Sequence, residues 1–534
     1  MSLRGSRRSS VLYQIHPDRP DLPTDVLKKL SMSSIKHKAS TSSQCSEIQD
    51  EILAQINASQ STLNDEDKVE QNLQELNFYY GIIKRHLLRY QSAITGLYPA
   101  MSSEKKIGSV RDTLYCCMAT WSLCQAYKKI NDDKGKCYEL GQTTVLGLQG
   151  ILKCWMGQAK LLESFKANQN PNNALHVIFD MVTGGEVESE KEKYPHLQLD
   201  VVSLYLLFLV QAIASGLKII GLQAEVSFVQ NLVFYVERAY RTPDFGMWER
   251  GSVYNDGTPE VHASSIGMAK AALESINGFN LFGESGASWS VIYVDIDAHN
   301  RNRSIFETIL PRESGSKECD AALLSSITFP AFATHDEALY KKTKANIVST
   351  LQGNWGFKRF SRDGFGCVLE PKDKKYTIEG MTQKFENVES EWPIFYAFMI
   401  IDGVFKNQDA QVEMYQAKLK RMIKYADNGD PMLPMYYYVP KDAIKEEQMS
   451  KGSQYRFPSD EGSMQTNIFL WGQAMLIISD LLTAKLLSVD EIDPIRRHLP
   501  SSTRPNYGAR YSTFEVFSDY FSSSIFLTLF SYLF

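Results

Sequence analysis

Apolar segments with a helical repeat dominate the chain from about residue 77 to 499. Clusters of Gly, Pro and Asn separate them, and period-two alternation is sparse. The pattern predicts helices over 113–130, 201–221, 226–241, 262–276, 392–405, 411–426 and 468–486. Several have almost no polar face, and 201–217 carries no charge at all. That stretch falls short of the roughly 20 residues that span a bilayer. Gln198 and Asp200 flank it, and Gln211 and Ser215 lie within it. It reads as a helix buried on both sides in a large soluble protein. A helix loses its polar face when it touches both an outer layer and its own neighbours, so the expectation is an all-α barrel of concentric paired helices. Four longer polar loops, 166–195, 296–304, 370–387 and 440–465, are expected to interrupt it, and loops at one end of a barrel are where a site is built.

Residues 1–46 differ from this body. They are rich in Ser and Arg and read as a disordered regulatory tail, because such segments bury too little apolar surface to offset their ordering entropy. Within them Arg7-Arg8-Ser9-Ser10-Val11 fits a basophilic kinase site, with phosphorylation expected at Ser9 or Ser10. The expected organisation continues with a connecting helical segment at 47–75, the main domain at 76–499 and an atypical C-terminal tail at 500–534. The apolar end of that tail is too short to span a bilayer and offers no cysteine for prenylation.

Composition narrows the function classes. An apolar share of 43% supports a large core, and a net charge of −5 without a basic stripe argues against nucleic acid. The eight cysteines form no C-x-x-C pair and no zinc-type spacing, so reduced thiols, no metal and no cofactor are expected. The N-terminus has no apolar signal region, which points to a cytoplasmic protein.

Residues 242–252 (TPDFGMWERGS) carry the sharpest chemical signal. Glu249 follows Trp248, and a carboxyl held against an indole is poorly solvated when charged. Its pKa rises and it can act as a general acid near neutral pH. Arg250 would oppose that rise if it folded back on Glu249. Arg111 offers a planar fork of donors to vicinal hydroxyls, and Asp112 can accept from a hydroxyl. A helix-start ion pair accounts for the same two residues. Trp121, Trp248, Trp392 and Trp471 could each present a ring face to a sugar or simply pack in the core.

Several stretches in chain order resemble the glucoamylases: Val110-Arg111-Asp112, Leu197-Gln198-Leu199-Asp200, Phe245-Gly-Met-Trp-Glu249, Lys358-Arg359-Phe360-Ser361-Arg362-Asp363, Glu391-Trp392-Pro393 and Leu470-Trp471-Gly472-Gln473. The resemblance implies an (α/α)6 toroid. It also implies a sugar site holding Arg111, Asp112, Gln198, Asp200, Trp248, Arg359, Asp363, Trp392 and Trp471, with Glu249 in the general-acid position. Inverting glycosidases need a second carboxylate roughly 6.5–9.5 Å from the acid to activate water. The stretch matching the family's base segment is Gly452-Ser453-Gln454-Tyr455, with Ser453 where the glutamate belongs. A hydroxyl without a nearby base does not take a proton from water at useful rates. Asp460 and Glu461 are the nearest substitutes. Glu249 is therefore expected to be a vestigial acid.

Between those motifs the detail resembles the large regulatory subunits of phosphorylase b kinase, in 196–209, 227–236, 264–274 and 491–497. The serine-rich extension and the missing base carboxylate favour the beta type, C-terminally shortened. That resemblance implies a non-catalytic regulatory subunit in glycogen breakdown, restraining a catalytic gamma subunit beside alpha and calmodulin subunits, with glycogen or an oligosaccharide as a further ligand. Family members can be prenyl-anchored at the plasma membrane. A live α-glucoside hydrolase and a glycogen-binding scaffold are the alternatives. The basic segment 412–425 has Met and Ile on one side, as calmodulin targets do, and reads equally as a solvated outer helix.

Overall fold

The computed structural model describes residues 65–130, 133–187, 196–283, 286, 288–371, 382–460 and 467–504. Ser9, Ser10 and Glu461, the tail at 1–46 and residues 505–534 lie outside them.

Twelve of the helices among the described residues alternate between two layers. The odd-numbered ones are α1 (Asp65–His86), α3 (Lys136–Gly157), α5 (Gln223–Ala239), α7 (Ile296–Ile309), α9 (Glu337–Leu351) and α11 (Asp409–Lys420). The even-numbered ones are α2 (Val110–Tyr127), α4 (Leu199–Ala214), α6 (Ala263–Ile276), α8 (Leu323–Ile327), α10 (Ile394–Phe405) and α12 (Leu470–Thr483). The even helices pack in sequence, α2 on α4, α4 on α6, α6 on α8, α8 on α10 and α10 on α12, and α12 returns to α2. They close a six-membered inner ring. The odd helices lie outside it, α3 against α2, α7 against α6 and α11 against α10.

Burial follows this layering. Every residue of α2 and α6 is buried, whereas α9 buries only Tyr340, Thr343, Ile347 and Leu351, a single helical stripe. The layers meet closely at Gly267 on α6, where a Cβ would stand 2.6 Å from the Phe306 ring of α7. One continuous apolar core fills the space between the rings, and a small satellite of Cys367, Phe385, Val388, Val439 and Ile444 lies under the long loops. Among the described residues, isolated bridges aside, strand structure is confined to three two-stranded antiparallel pairs in the loops: Ile107–Ser109 with Ile178–Asp180, Lys424–Tyr425 with Pro431–Met432, and Tyr437–Tyr438 with Phe457–Pro458.

All seven expected helices are present, with shifted ends. The one expected to reach residue 221 stops at Ala214, where Ser215 caps it and Gly216 turns the chain at φ +99°. The expected loop at 296–304 is instead the first part of α7. Its polar sequence hides a helix capped by Asp295, which accepts from the Asp297 amide at 2.9 Å, and it buries Ala298, Asn302 and Phe306. Helix α1 runs through the expected boundary between 75 and 76. None of the described helices is long and apolar enough to cross a membrane.

Candidate functional site

The loop after α5 is held by a buried acid. Asp244 accepts from the Leu199 amide at 3.1 Å, from Ser265 Oγ at 2.7 Å and from His262 Nδ1 at 2.7 Å. Burial lowers the His262 pKa, yet the Asp244 hydrogen bond and charge outweigh it and leave the imidazole above its ordinary value. Gly246 and Gly251 take positive φ, and a Cβ at Gly251 would meet the Thr258 carbonyl oxygen at 2.0 Å. Between them Glu249 itself sits at φ +60°, a left-handed conformation that glutamate rarely adopts. The turn thus presents Trp248 and Glu249 at fixed positions. Arg250 turns away, pairing with Glu370 and lying 5.2 Å from the Phe365 ring centre.

Trp248 is the hub of an aromatic cluster. Its Nε1 donates to Asp320 Oδ1 at 2.8 Å, and its ring lies 5.7 Å from Trp392 and 6.2 Å from Trp471. Trp471 stacks on Tyr115 at 4.9 Å. The Arg359 guanidinium is wedged among the rings, 4.4 Å from Phe365, 4.9 Å from Trp248 and 5.3 Å from Trp392. Asp363, four residues on, accepts two hydrogen bonds from it at 2.5 and 2.8 Å. Burial raises the Asp363 pKa, and the Arg359 charge and hydrogen bonds more than reverse it, leaving the carboxyl below its usual value.

Arg111 and Asp112, at the start of α2, behave differently from one another. Arg111 pairs with Asp200 on α4 and donates to Gln198 Oε1 at 2.9 Å. Four of the expected residues thus divide into an internal tie of Arg111, Gln198 and Asp200, and Asp112 by itself. Burial lifts the Asp112 pKa to about 6, and its Oδ1 has no hydrogen-bond partner among the described residues. The Tyr115 hydroxyl, Trp392 Nε1, Trp471 Nε1 and Ser390 Oγ are likewise buried and without a partner among the described residues. Buried polar atoms ordinarily find partners, so this group of donors and acceptors around one aromatic cluster suits a polyhydroxylated ligand.

Other expected residues lie elsewhere. Trp121 is at the far end of α2, edge-on to Phe208, and its Nε1 donates to Ser215 Oγ at 2.8 Å, so it is a core residue. Ser453 is exposed in a turn, with its Oγ accepting from Gln454 Nε2 at 3.1 Å. Buried Glu447 anchors that turn, accepting from the amides of Gly452 and Gln454 at 2.8 and 3.0 Å. Asp460 lies 3.3 Å from Lys424 Nζ. The segment read as a calmodulin-type helix ends at Lys420, with Tyr415 and Leu419 buried and Met414 exposed.

Sequence reasoning missed Tyr115, Phe365 and Asp320. Tyr115 was detectable, since it lies one helical turn after Asp112 on the same face. Asp320 had no local signal, because its role depends on the loop before α8 meeting the loop after α5.

A closed ring of six inner helices, with an acid on a strained loop beside a tryptophan cluster, is the arrangement of a glycosidase barrel. The sequence model of glycosyl hydrolases family 15 matches residues 73–519, and the chain belongs to that family. Two solved structures of a glycosidase, one of a single-site variant and one of the wild type, share the fold, with TM-scores of 0.53 and 0.52 and identities of 17% and 16%. Each covers 80% of this chain and 100% of its own. In sequence the chain is similar to a probable phosphorylase b kinase regulatory subunit beta of Drosophila melanogaster, 57% identical over 465 residues, which is 87% of this chain and 41% of that protein. It is also similar to the phosphorylase b kinase regulatory subunit alpha, skeletal muscle isoform, of Oryctolagus cuniculus, 42% identical over 434 residues, or 81% of this chain and 34% of that protein. The chain thus spans less than half the length of these relatives.

Proposed function

We propose that this chain is a regulatory part of a phosphorylase b kinase, a retired glycosidase barrel that restrains or scaffolds a separate catalytic subunit in the control of glycogen breakdown. The similarity to the beta relative supports the assignment. The observation that carries the loss of catalysis is the contrast between Glu249 and Ser453. The acid position is kept on its strained turn, while an exposed serine stands where the base is expected. Without a base, water is not activated and the glycosidic bond is not cleaved.

In this reading the aromatic cluster retains affinity for a glucan end through Trp248, Trp392, Trp471 and Arg359, with Asp112 as acceptor. Arg111, Gln198 and Asp200 shape the wall, and Asp363 orients Arg359. The partners are the alpha subunit, the gamma (catalytic) subunit and calmodulin. Phosphorylation at Ser9 or Ser10 adds roughly two negative charges to the basic tail and relieves the restraint.

Two measurements test this. Incubation of the chain with maltooligosaccharides is expected to release no glucose, and release that disappears in Glu249→Gln would establish a live hydrolase. Co-expression with the catalytic subunit is expected to yield a complex with lowered kinase activity, and Ser10→Asp to restore part of it. A catalytic subunit that neither co-purifies nor slows would end the regulatory assignment.

A further inference from the structure

Two arginines far apart in sequence meet at a groove on the outer layer, outside the aromatic cluster. The groove is open to solvent, offers about 380 Å³ and is lined by Tyr240, Arg241, Asn300, Arg301, Ser304 and Ile305. Tyr240 caps the C-terminus of α5 and Arg241 follows it, while the other four lie on successive turns of α7. Arg241 and Arg301 are exposed, and neither is engaged by a carboxylate among the described residues.

The acids on the two helices are placed elsewhere. Glu237 accepts from the Asp295 amide at 2.7 Å, and Asp295 caps α7. Glu307 pairs with Arg303 at 3.0 Å. Asp297, one turn before Arg301, is exposed, forms no ion pair with it and is not part of the lining. Among the described residues the groove therefore has two cationic forks and an amide, and no negative group in its wall; the Ser304 hydroxyl donates to the Asn300 carbonyl at 3.0 Å. Half-buried Ile305 adds an apolar side.

We infer that this groove is a binding site for a phosphate monoester, with Arg241 and Arg301 gripping the phosphate and the Asn300 side-chain amide donating to it. Each guanidinium offers several N–H donors in a fixed plane, which matches the geometry of a dianion with three terminal oxygens. The apolar wall suits the carbon skeleton that bears the phosphate. Along the chain, Arg241 immediately precedes the loop that carries Trp248 and Glu249. The inference does not rest on sugar binding or on kinase regulation, since its residues and its ligand chemistry are separate from both.

The test is calorimetric titration of the full chain with inorganic phosphate, a phosphoserine peptide and glucose 6-phosphate, with the unphosphorylated peptide and glucose as controls. Arg241→Gln and Arg301→Gln are compared with the unmodified chain, and thermal melting confirms that each variant is folded. Arg312→Gln, outside the groove, serves as a generic charge control. The expected result is saturable one-to-one binding of a phosphorylated probe that weakens at least about tenfold in either groove variant and holds in Arg312→Gln. Tighter binding of the phosphopeptide assigns the site to a phosphorylated polypeptide, and tighter binding of glucose 6-phosphate assigns it to a metabolite. No saturable binding of any phosphorylated probe, or equal weakening by all three substitutions, overturns the inference.

Discussion

Arg111 on one inner helix and Asp200 on the next form a buried ion pair, with Gln198 Oε1 accepting from the same guanidinium at 2.9 Å. The pair closes the ring at the α2–α4 junction, where its charges have little access to water. Removing one partner leaves the other desolvated and unpaired, which costs on the order of 3–5 kcal/mol. Asp200→Ala is expected to destabilise the barrel by that amount in urea unfolding, while Asp200→Ala combined with Arg111→Met loses less than the sum of the two single changes.

Asp112 predicts a pH dependence of stability. Its folded pKa is raised to about 6, above the value of about 3.8 from which burial shifts it. Between these values the folded state binds more protons than the unfolded state, so the contribution of Asp112 to stability falls as pH rises from about 4 to 6 and stays lost above that. Asp112→Asn removes the penalty of burying a charge. The variant is expected to be more stable than the unmodified chain at pH 7, by about 2–3 kcal/mol at most, with the gain vanishing near pH 4. Chemical denaturation at pH 4, 5.5 and 7 measures this.

Trp392 and Arg359 share the wall of the aromatic cluster at 5.3 Å. If a glucan end occupies that cluster, Trp392→Ala removes a stacking face and weakens maltooligosaccharide binding by about tenfold or more. Trp121→Phe, in the core at the opposite end of α2, is expected to leave binding unchanged. Intrinsic fluorescence titration compares the two.

Gly251 is the steric hinge of the Glu249 loop. At φ +67°, with 2.0 Å between a would-be Cβ and the Thr258 carbonyl oxygen, alanine does not fit without moving the backbone. Gly251→Ala is expected to cost more than about 2 kcal/mol and to expose Trp248, seen as a red-shifted emission spectrum.

The inner layer was the more legible half of the fold. Helices α2, α4, α6, α10 and α12 are buried on almost every side, so their periodicity and the scarcity of polar positions in several of them both announced a concentric barrel. The outer layer was harder to read. Helix α9 buries only four residues and α7 four, and such narrow stripes are diluted by Lys, Asn, Arg and Ser. That dilution is why 296–304 resembled a loop. Helix α8, only five residues long, is too short to show a repeat.

The candidate site divides in the same way. The chain itself determined which chemical groups were on hand: an acid after a tryptophan, an arginine–aspartate pair at a helix start, and a serine in the base segment. It also determined the glycines that permit the Glu249 turn, because backbone freedom is a local property. Only the tertiary structure decided which groups face one another. Ring closure committed Arg111 to Asp200, left Asp112 Oδ1 without a partner among the described residues, placed Arg359 among three rings and set Trp121 against Phe208 and Ser215. Those outcomes depend on contacts between residues tens to hundreds of positions apart, and a hydrogen bond or ring contact acts only over a few ångströms in space, whatever the separation along the chain.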